Sequence, residues 1–343
     1  MHFSTDGVTV LQKFFPQNIA PFNHMIIQSH PSVLHVAVGV VRNGLGEILI
    51  ARRHDHLHQG GLWEFPGGKL EPDETVEAAL SRELREELAI TVEHATPLIK
   101  IRHDYADKQV LLDVWQVDAF SGKPQGLENQ PILWVSPGEL RQFDFPAGNR
   151  PIVAAARLPE YYPIVDGGSD DEEALFAKLE RLCQGAYTLA QWRVTAPDAA
   201  TFLALTRRAV DFCRPRGLDL VLNADPAMVL QAGAAGVHLN SRRLPGLKQR
   251  PLPGSLWVGA SCHYLEEIRQ AEQGGVDFVL LSPVLPTPSH PDARPLGWDQ
   301  FGAWVGQARL PVFALGGMTR DHQSQAREHG AQGVAGIRGF GGA

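Results

Sequence analysis

The chain has 343 residues, with 31 basic against 38 acidic side chains for a formal net charge of −7, and it is 44% hydrophobic and 20% charged. That length predicts two domains or one large barrel, and the composition excludes a disordered or collagen-like chain. The negative balance excludes grip on a long nucleic acid by counterion release, and no run of about 18 apolar residues is present to cross a membrane.

Residues 1–31 mix polar side chains, Pro16, Pro21 and single aromatics without periodicity, which predicts a loose extension with Met25 as a candidate start. No basic start followed by an apolar run marks a secretory leader. Residues 34–42 are branched and partly alternating and predict a strand. Asn43-Gly44 is a turn signal, and residues 47–51 read as the returning strand. A loop rich in His and Gly covers 53–61. Residues 75–88 lack Gly and Pro and predict a helix with Thr75 as N-cap. Strands follow at 110–117 and 132–135, and a closing helix at 146–158. The pattern predicts an α+β domain over 32–158, a mixed sheet between helices.

Over 159–343 the rhythm changes. Strand-like runs at 162–165, 189–194, 218–222, 236–239, 256–261, 278–282, 312–315 and 333–337 alternate with amphipathic stretches such as 172–183, 199–213 and 264–273. This predicts a compact α/β TIM-type (β/α)8 barrel whose last helix is missing. Three scattered cysteines, Cys183, Cys213 and Cys262, fit a reducing cytoplasm.

The strongest chemical signal lies in residues 71–87, which hold seven acids and two arginines. A solvated, salt-bridged helix face is one reading. The phase argues for another. At about 100° per residue, Val76, Ala79 and Leu80 share a face. The next turn of that face carries Glu83 and Glu87, with Glu86 beside them. Carboxylates set against a core are costly unless a cation offsets their desolvation, and three at this spacing repel one another when empty. Together they make an all-oxygen set suited to Mg²⁺ or Mn²⁺. Arg82 and Arg85 are placed to restrain them.

Gly68, Glu74, Arg82, Glu83, Leu84, Glu86, Glu87 and Ile90 fall at the spacing of the Nudix signature, and the segment resembles that hydrolase family. Six non-aliphatic matches at roughly one in fifteen each occur by chance about once in ten million starting positions. The late glycine of the signature is Ala89 here, which is expected to stay helical. The resemblance implies metal-assisted hydrolysis of a nucleoside diphosphate linked to another group. It implies Glu83, Glu86 and Glu87 as catalytic residues and metal ligands, with the Gly67 carbonyl a fourth ligand and one of these glutamates, Glu83 the first candidate, orienting or deprotonating water. Gly68, Glu74 and Arg82 would support the motif.

The flanks resemble the MutT, or 8-oxo-dGTP diphosphatase, branch of that family. They include residues 36–43, 51–53, 64–69 and 145–151. By that similarity Arg53 meets phosphate, Phe65 packs on the base and His58 lies near the substrate. Asn149 reads the oxidised purine edge, since an amide donates and accepts at once. Glu128 matches a further acidic site near the metal. The histidines at 54, 56 and 58 lack the cysteines or ordered element of a zinc site. The implied function is Mg²⁺-dependent cleavage of 8-oxo-dGTP, a small nucleotide partner, without direct nucleic-acid or membrane binding. Hydrolysis of another, thiamine-related pyrophosphate is the alternative.

The second half is similar to thiamine phosphate synthase through Gln191-Trp-Arg193, Asn223, Gly236-Val-His-Leu239, residues 259–263, 282–287 and 314–318. The resemblance offers Gln191, Arg193, Asn223, Gly316 and Gly317 as ligand candidates, with a phosphorylated thiamine precursor as the ligand. Departures are heavy. Thr195, Ala224, residues 241–243, His290 and Arg338 stand where the family carries its lysines, magnesium aspartates and a small phosphate contact. They imply a retained phosphate-binding or structural domain in place of a synthase. A bifunctional enzyme is the remaining alternative.

Overall fold

A computed structural model of the chain describes residues 33–56, 59–104, 109–288 and 292–340. The extension expected at 1–31, with Met25, lies outside them, as do His58 and His290.

In the first half, β1 (Leu34–Val41), β2 (Ile48–Arg52), β3 (Trp63–Glu64) and β4 (Gly67–Lys69) precede α1 (Val76–Leu88). Then come β5 (Thr91–Asp104), β6 (Gln109–Ser121), β7 (Ile132–Val135), a 3-10 turn at Ala147–Asn149 and α2 (Arg150–Arg157). A four-stranded sheet runs β4-β1-β6-β5, with β1 parallel to β6, and a three-stranded sheet runs β3-β2-β7. The hairpin expected from Asn43-Gly44 does not form as a pair. β1 and β2 share one bridge, Arg42 to Ile48, and then enter different sheets. The turn reverses the chain, but each strand finds its longer pairing with a sequence-distant partner. Strand β5, masked in the sequence by His, Thr and Pro, pairs with β6 through several register shifts.

Helix α1 starts where Thr75 Oγ1 accepts from Ala78 N–H at 3.3 Å. Its core face is Ala79, Leu80, Leu84 and Leu88, which pack on Ala37, Val41 and Leu49. The apolar stripe therefore continues to the helix end at i+4 steps, and Glu83 and Glu87 flank it instead of replacing it. Ala89 is not helical. It takes the left-handed conformation at φ 58°, its N–H donating back to Arg85 O and Leu84 O. A left-handed L-residue costs about 1–2 kcal/mol, part of which returns through the stiffer unfolded chain. Ala89→Gly is accordingly expected to stabilise the protein by about 0.5–1 kcal/mol, read as a higher urea midpoint with an unchanged slope.

In the second half, eight parallel strands close a barrel: β8 (Tyr161–Gly168), β9 (Leu189–Thr195), β10 (Asp219–Leu222), β11 (Gly236–Leu239), β12 (Trp257–Cys262), β13 (Phe278–Leu281), β14 (Val312–Ala314) and β15 (Gly333–Gly336). Helices α3 (Glu172–Gln184), α4 (Ala199–Cys213), α5 (Pro226–Ala232), α6 (Leu265–Gln273), α7 (Gly297–Val305) and α8 (Gln323–Glu328) surround it. The β11–β12 crossover carries only a 3-10 turn at Leu244–Gly246, which keeps the barrel compact. One set of strand residues, among them Tyr162, Ile164, Phe278, Leu280 and Phe313, fills the interior, and the alternate set packs under the helices. The two halves share this interior: Ala154 and Leu158, from α2 and the residue after it, pack in it beside Trp257 and Phe278, which open β12 and β13.

Candidate active site

The acidic end of α1 lies beside β4. Gly67 has φ 145° and presses on the Ala37 carbonyl, so a side chain there would collide with backbone. Its N–H donates to Glu87 Oε2 at 3.1 Å. At Gly68 a Cβ would fall on the carboxyl group of Glu83, so the missing side chain is what gives that carboxylate its seat. Arg82 organises the rest. It grips Glu74 through Nε and Nη2 at 3.0 and 2.9 Å, donates to Glu83 Oε1 at 2.8 Å and reaches Lys69 O at 3.0 Å. Glu74 also accepts from Glu71 N–H at 2.9 Å, and these bonds hold its carboxyl below the ordinary range, the Arg82 bond first.

Glu87 is the strained member. Burial pushes its carboxyl up to about 8. The Gly67 N–H opposes the rise, and the charges of Glu64, Glu83 and Glu128 add to it. Glu64 is likewise raised, by burial first, while its ion pair with Arg53 works against the rise. The loop after β6 brings Glu128 in. Gln125 N–H donates to Leu88 O at 3.0 Å, Leu127 N–H to Glu87 O at 2.9 Å and Gln130 Nε2 to Glu87 O at 3.1 Å, so the loop caps the end of α1. His54 lies 3.0 Å from the Glu128 carbonyl.

Among the described residues no three His, Cys, Asp or Glu side chains converge on one point as they stand. Glu83 leans to Arg82, and Glu86 is 61% exposed. The donor set nonetheless fits a hard divalent cation. It is all oxygen, it sets the charges of three carboxylates on a fourth, Glu87, and that half-buried carboxylate is desolvated at a cost that a cation or a proton relieves.

Two expected substrate residues fare differently. Phe65 is 3% exposed and stacked on Phe145 with centroids 5.3 Å apart, inside the core with Val38, Ile50 and Ile152. In the structure its ring is packing rather than an open face for a base, because Phe145 stacks over it. Asn149 is half-buried at the N-cap of α2, yet its side chain makes no capping bond. Glu64 is a member of the acidic cluster that sequence reasoning did not single out; its position two residues before the Pro-Gly-Gly turn was the available signal.

The mouth of the barrel opens into a cavity of about 1040 Å³. Arg193, Asn223, Gly316 and Gly317 line it, the two glycines with φ 96° and 69°. Gln191 does not; it is 2% exposed within the barrel wall. Arg193 pairs with Asp166 at 3.1 Å. Arg294 and Arg338 also line the cavity, and no carboxylate does among the described residues.

Comparison with known proteins agrees with both halves. Residues 37–155 match the family described as NUDIX domain, and residues 161–340 match that described as thiamine monophosphate synthase. An 8-oxo-dGTP diphosphatase of Escherichia coli is 42% identical over 121 residues, 35% of this chain and 94% of that protein. A CTP pyrophosphohydrolase of the same organism is 39% identical over 110 residues, 32% of this chain and 82% of the relative. A putative thiamine-phosphate synthase of Aquifex aeolicus is 31% identical over 183 residues, 53% of this chain and 98% of its own length.

Proposed function

The chain belongs to the Nudix hydrolases through its first half and to the thiamine monophosphate synthase family through its second, and from that premise we propose that it converts 8-oxo-dGTP to 8-oxo-dGMP and pyrophosphate with Mg²⁺. The observation that carries the reading is the pair of carboxylates that β4 seats, Glu87 on the Gly67 N–H and Glu83 at Gly68, with the charges of Glu64 and Glu128 acting on Glu87. Glu83, Glu86, Glu87 and Glu128 with the Gly67 carbonyl would hold the metal. Bound there, Mg²⁺ supplies charge neutralisation of the phosphates and an acidified water.

The protein's own groups do the rest. Glu83, seated in the Gly68 notch and steadied by Arg82, accepts the proton of the attacking water. Arg53, anchored by Glu64, faces the phosphates. Asn149, with its amide uncommitted to the helix it caps, donates and accepts at the oxidised purine edge. The hydrolase acts on the free nucleotide and so keeps oxidised guanine out of DNA. We take 32–158 as the hydrolase domain and 159–343 as the barrel, in a cytoplasmic protein; among the described residues no helix is long and apolar enough to cross a membrane.

For the barrel we infer binding of a phosphorylated ligand without synthase chemistry. Three arginines and no carboxylate line the described cavity, and a magnesium pyrophosphate leaving group needs carboxylates to hold its metal.

The test is a steady-state comparison of 8-oxo-dGTP, dGTP, CTP and thiamine diphosphate with the full chain. A kcat/KM for 8-oxo-dGTP at least about a hundredfold above that for dGTP is expected. Equal values would remove the oxidised-purine reading, and a higher value for CTP would favour the pyrimidine alternative suggested by the second relative.

A further inference from the structure

Helix α2 belongs to two cores at once. Ile152, Ala155 and Ala156 pack in the hydrolase core with Val38 and Leu140, whereas Ala154 packs inside the barrel with Leu158, Tyr162 and Trp257. At eight residues the helix is too short to hold itself in water, so its placement is set by what it touches.

The carbonyls of its last turn have no partners inside the helix. Leu158 N–H donates to Ala154 O at 3.0 Å, and the Arg42 guanidinium donates to Ala156 O. Gln332, from the barrel, adds two more: its Nε2 donates to Ala155 O at 3.1 Å and to the O of the C-cap residue Leu158 at 3.2 Å. Gln332 is 3% exposed and sits directly before β15. Its main-chain N–H donates to Val312 O at 2.8 Å, and its carbonyl accepts from Arg327 at 3.1 Å. It therefore moves only with the barrel. Its own Oε1 has no partner among the described residues, so the donor pair is what this buried amide contributes. At the other end of the same two-turn helix stands Asn149, whose side chain is not spent on capping.

We propose that Gln332 is a positioning residue for base selection: by tying the last turn of α2 to the barrel, it sets where the first turn presents Asn149. This rests on Asn149 being the base-reading residue of the proposed hydrolase. The barrel then shapes the specificity of the hydrolase without touching its substrate, which is a physical reason for joining the two domains.

The experiment uses the full chain carrying Gln332→Met, which keeps the length and removes both donors, and Gln332→Asn, which shortens the reach and remains available if the first variant does not fold. KM for 8-oxo-dGTP is expected to rise about tenfold, with kcat for 8-oxo-dGTP and for dGTP changed less than about twofold. Amides of residues 152–157 should exchange faster while those of β1 and β13 keep their protection. A folded variant with unchanged KM and unchanged exchange in α2 overturns the proposal. Equal wild-type rates on 8-oxo-dGTP and dGTP would instead refute the reading of Asn149 and, with it, the specificity role; a wild-type preference that survives in both variants refutes Gln332 alone.

Discussion

Glu83→Gln is expected to lower the rate of pyrophosphate release from 8-oxo-dGTP, the substrate proposed above, by about a thousandfold or more at saturating Mg²⁺. The size follows from where the carboxylate sits. Its side chain is 16% exposed, seated at Gly68 where no Cβ intrudes, and held by Arg82 at 2.8 Å. An amide of the same shape fills that seat, so the fold is kept. What disappears is one negative charge available to a metal and the proton acceptor seated at Gly68. A thousandfold loss corresponds to about 4 kcal/mol, more than a surface ion pair contributes. Quenched-flow or coupled pyrophosphate assays read the rate, and circular dichroism confirms folding. A loss under tenfold would sink the role given to Glu83.

Glu87→Gln should act in opposite directions on stability and activity. In the metal-free protein burial holds the Glu87 carboxyl up at about 8, and Glu64, Glu83 and Glu128 add to the rise. The folded state therefore keeps a proton that the unfolded chain releases near pH 4.5. Stability falls as pH climbs from the unfolded value to about 8 and levels off above it. At about 1.4 kcal/mol per tenfold change in proton affinity, the ionised carboxylate forfeits at most about 5 kcal/mol, and solvent at the edge of the cluster reduces this to about 2 kcal/mol or more. The amide still accepts from Gly67 N–H but carries no charge. Urea titrations in EDTA should show the variant equal to wild type near pH 5 and more stable above pH 8. With millimolar Mg²⁺ the order should reverse, because the wild type gains the binding free energy of the metal. Hydrolysis should drop by about a hundredfold or more. A variant that is no more stable at high pH without metal would show that Glu87 is not the strained carboxylate.

Local features were readable from the residues themselves. Helix α1 and its Thr75 cap follow from helix propensity and a hydroxyl at the entry, although the expected turn of its core face into Glu83 and Glu87 does not occur, because Leu84 and Leu88 continue it. The eight barrel strands follow from short branched runs between amphipathic segments, since in a doubly covered parallel sheet each strand is apolar along its length. The spacing of Glu83, Glu86 and Glu87 is likewise a property of one continuous helix. These patterns depend on neighbours within one or two turns, and a sequence displays such neighbours directly.

Partner choice was not readable in that way. The Asn43-Gly44 turn reverses the chain, but that β1 joins β4 and β6 while β2 joins β3 and β7 depends on strands as far away as Val135, the partner of Ile48. Phe65 is core because Phe145 folds over it, and Ala89 is left-handed because the chain must leave α1 for β5 at once. The sequence by itself determined an acidic helix and eight strands, because these are written in local periodicity and spacing, and its motifs carried the resemblance to two families. Only the tertiary structure decided that the charge of Glu64 joins that of Glu128 on Glu87, and that a barrel glutamine ends the helix Asn149 begins. Desolvation and hydrogen-bond satisfaction are set by which distant residues exclude water, and no local pattern records that.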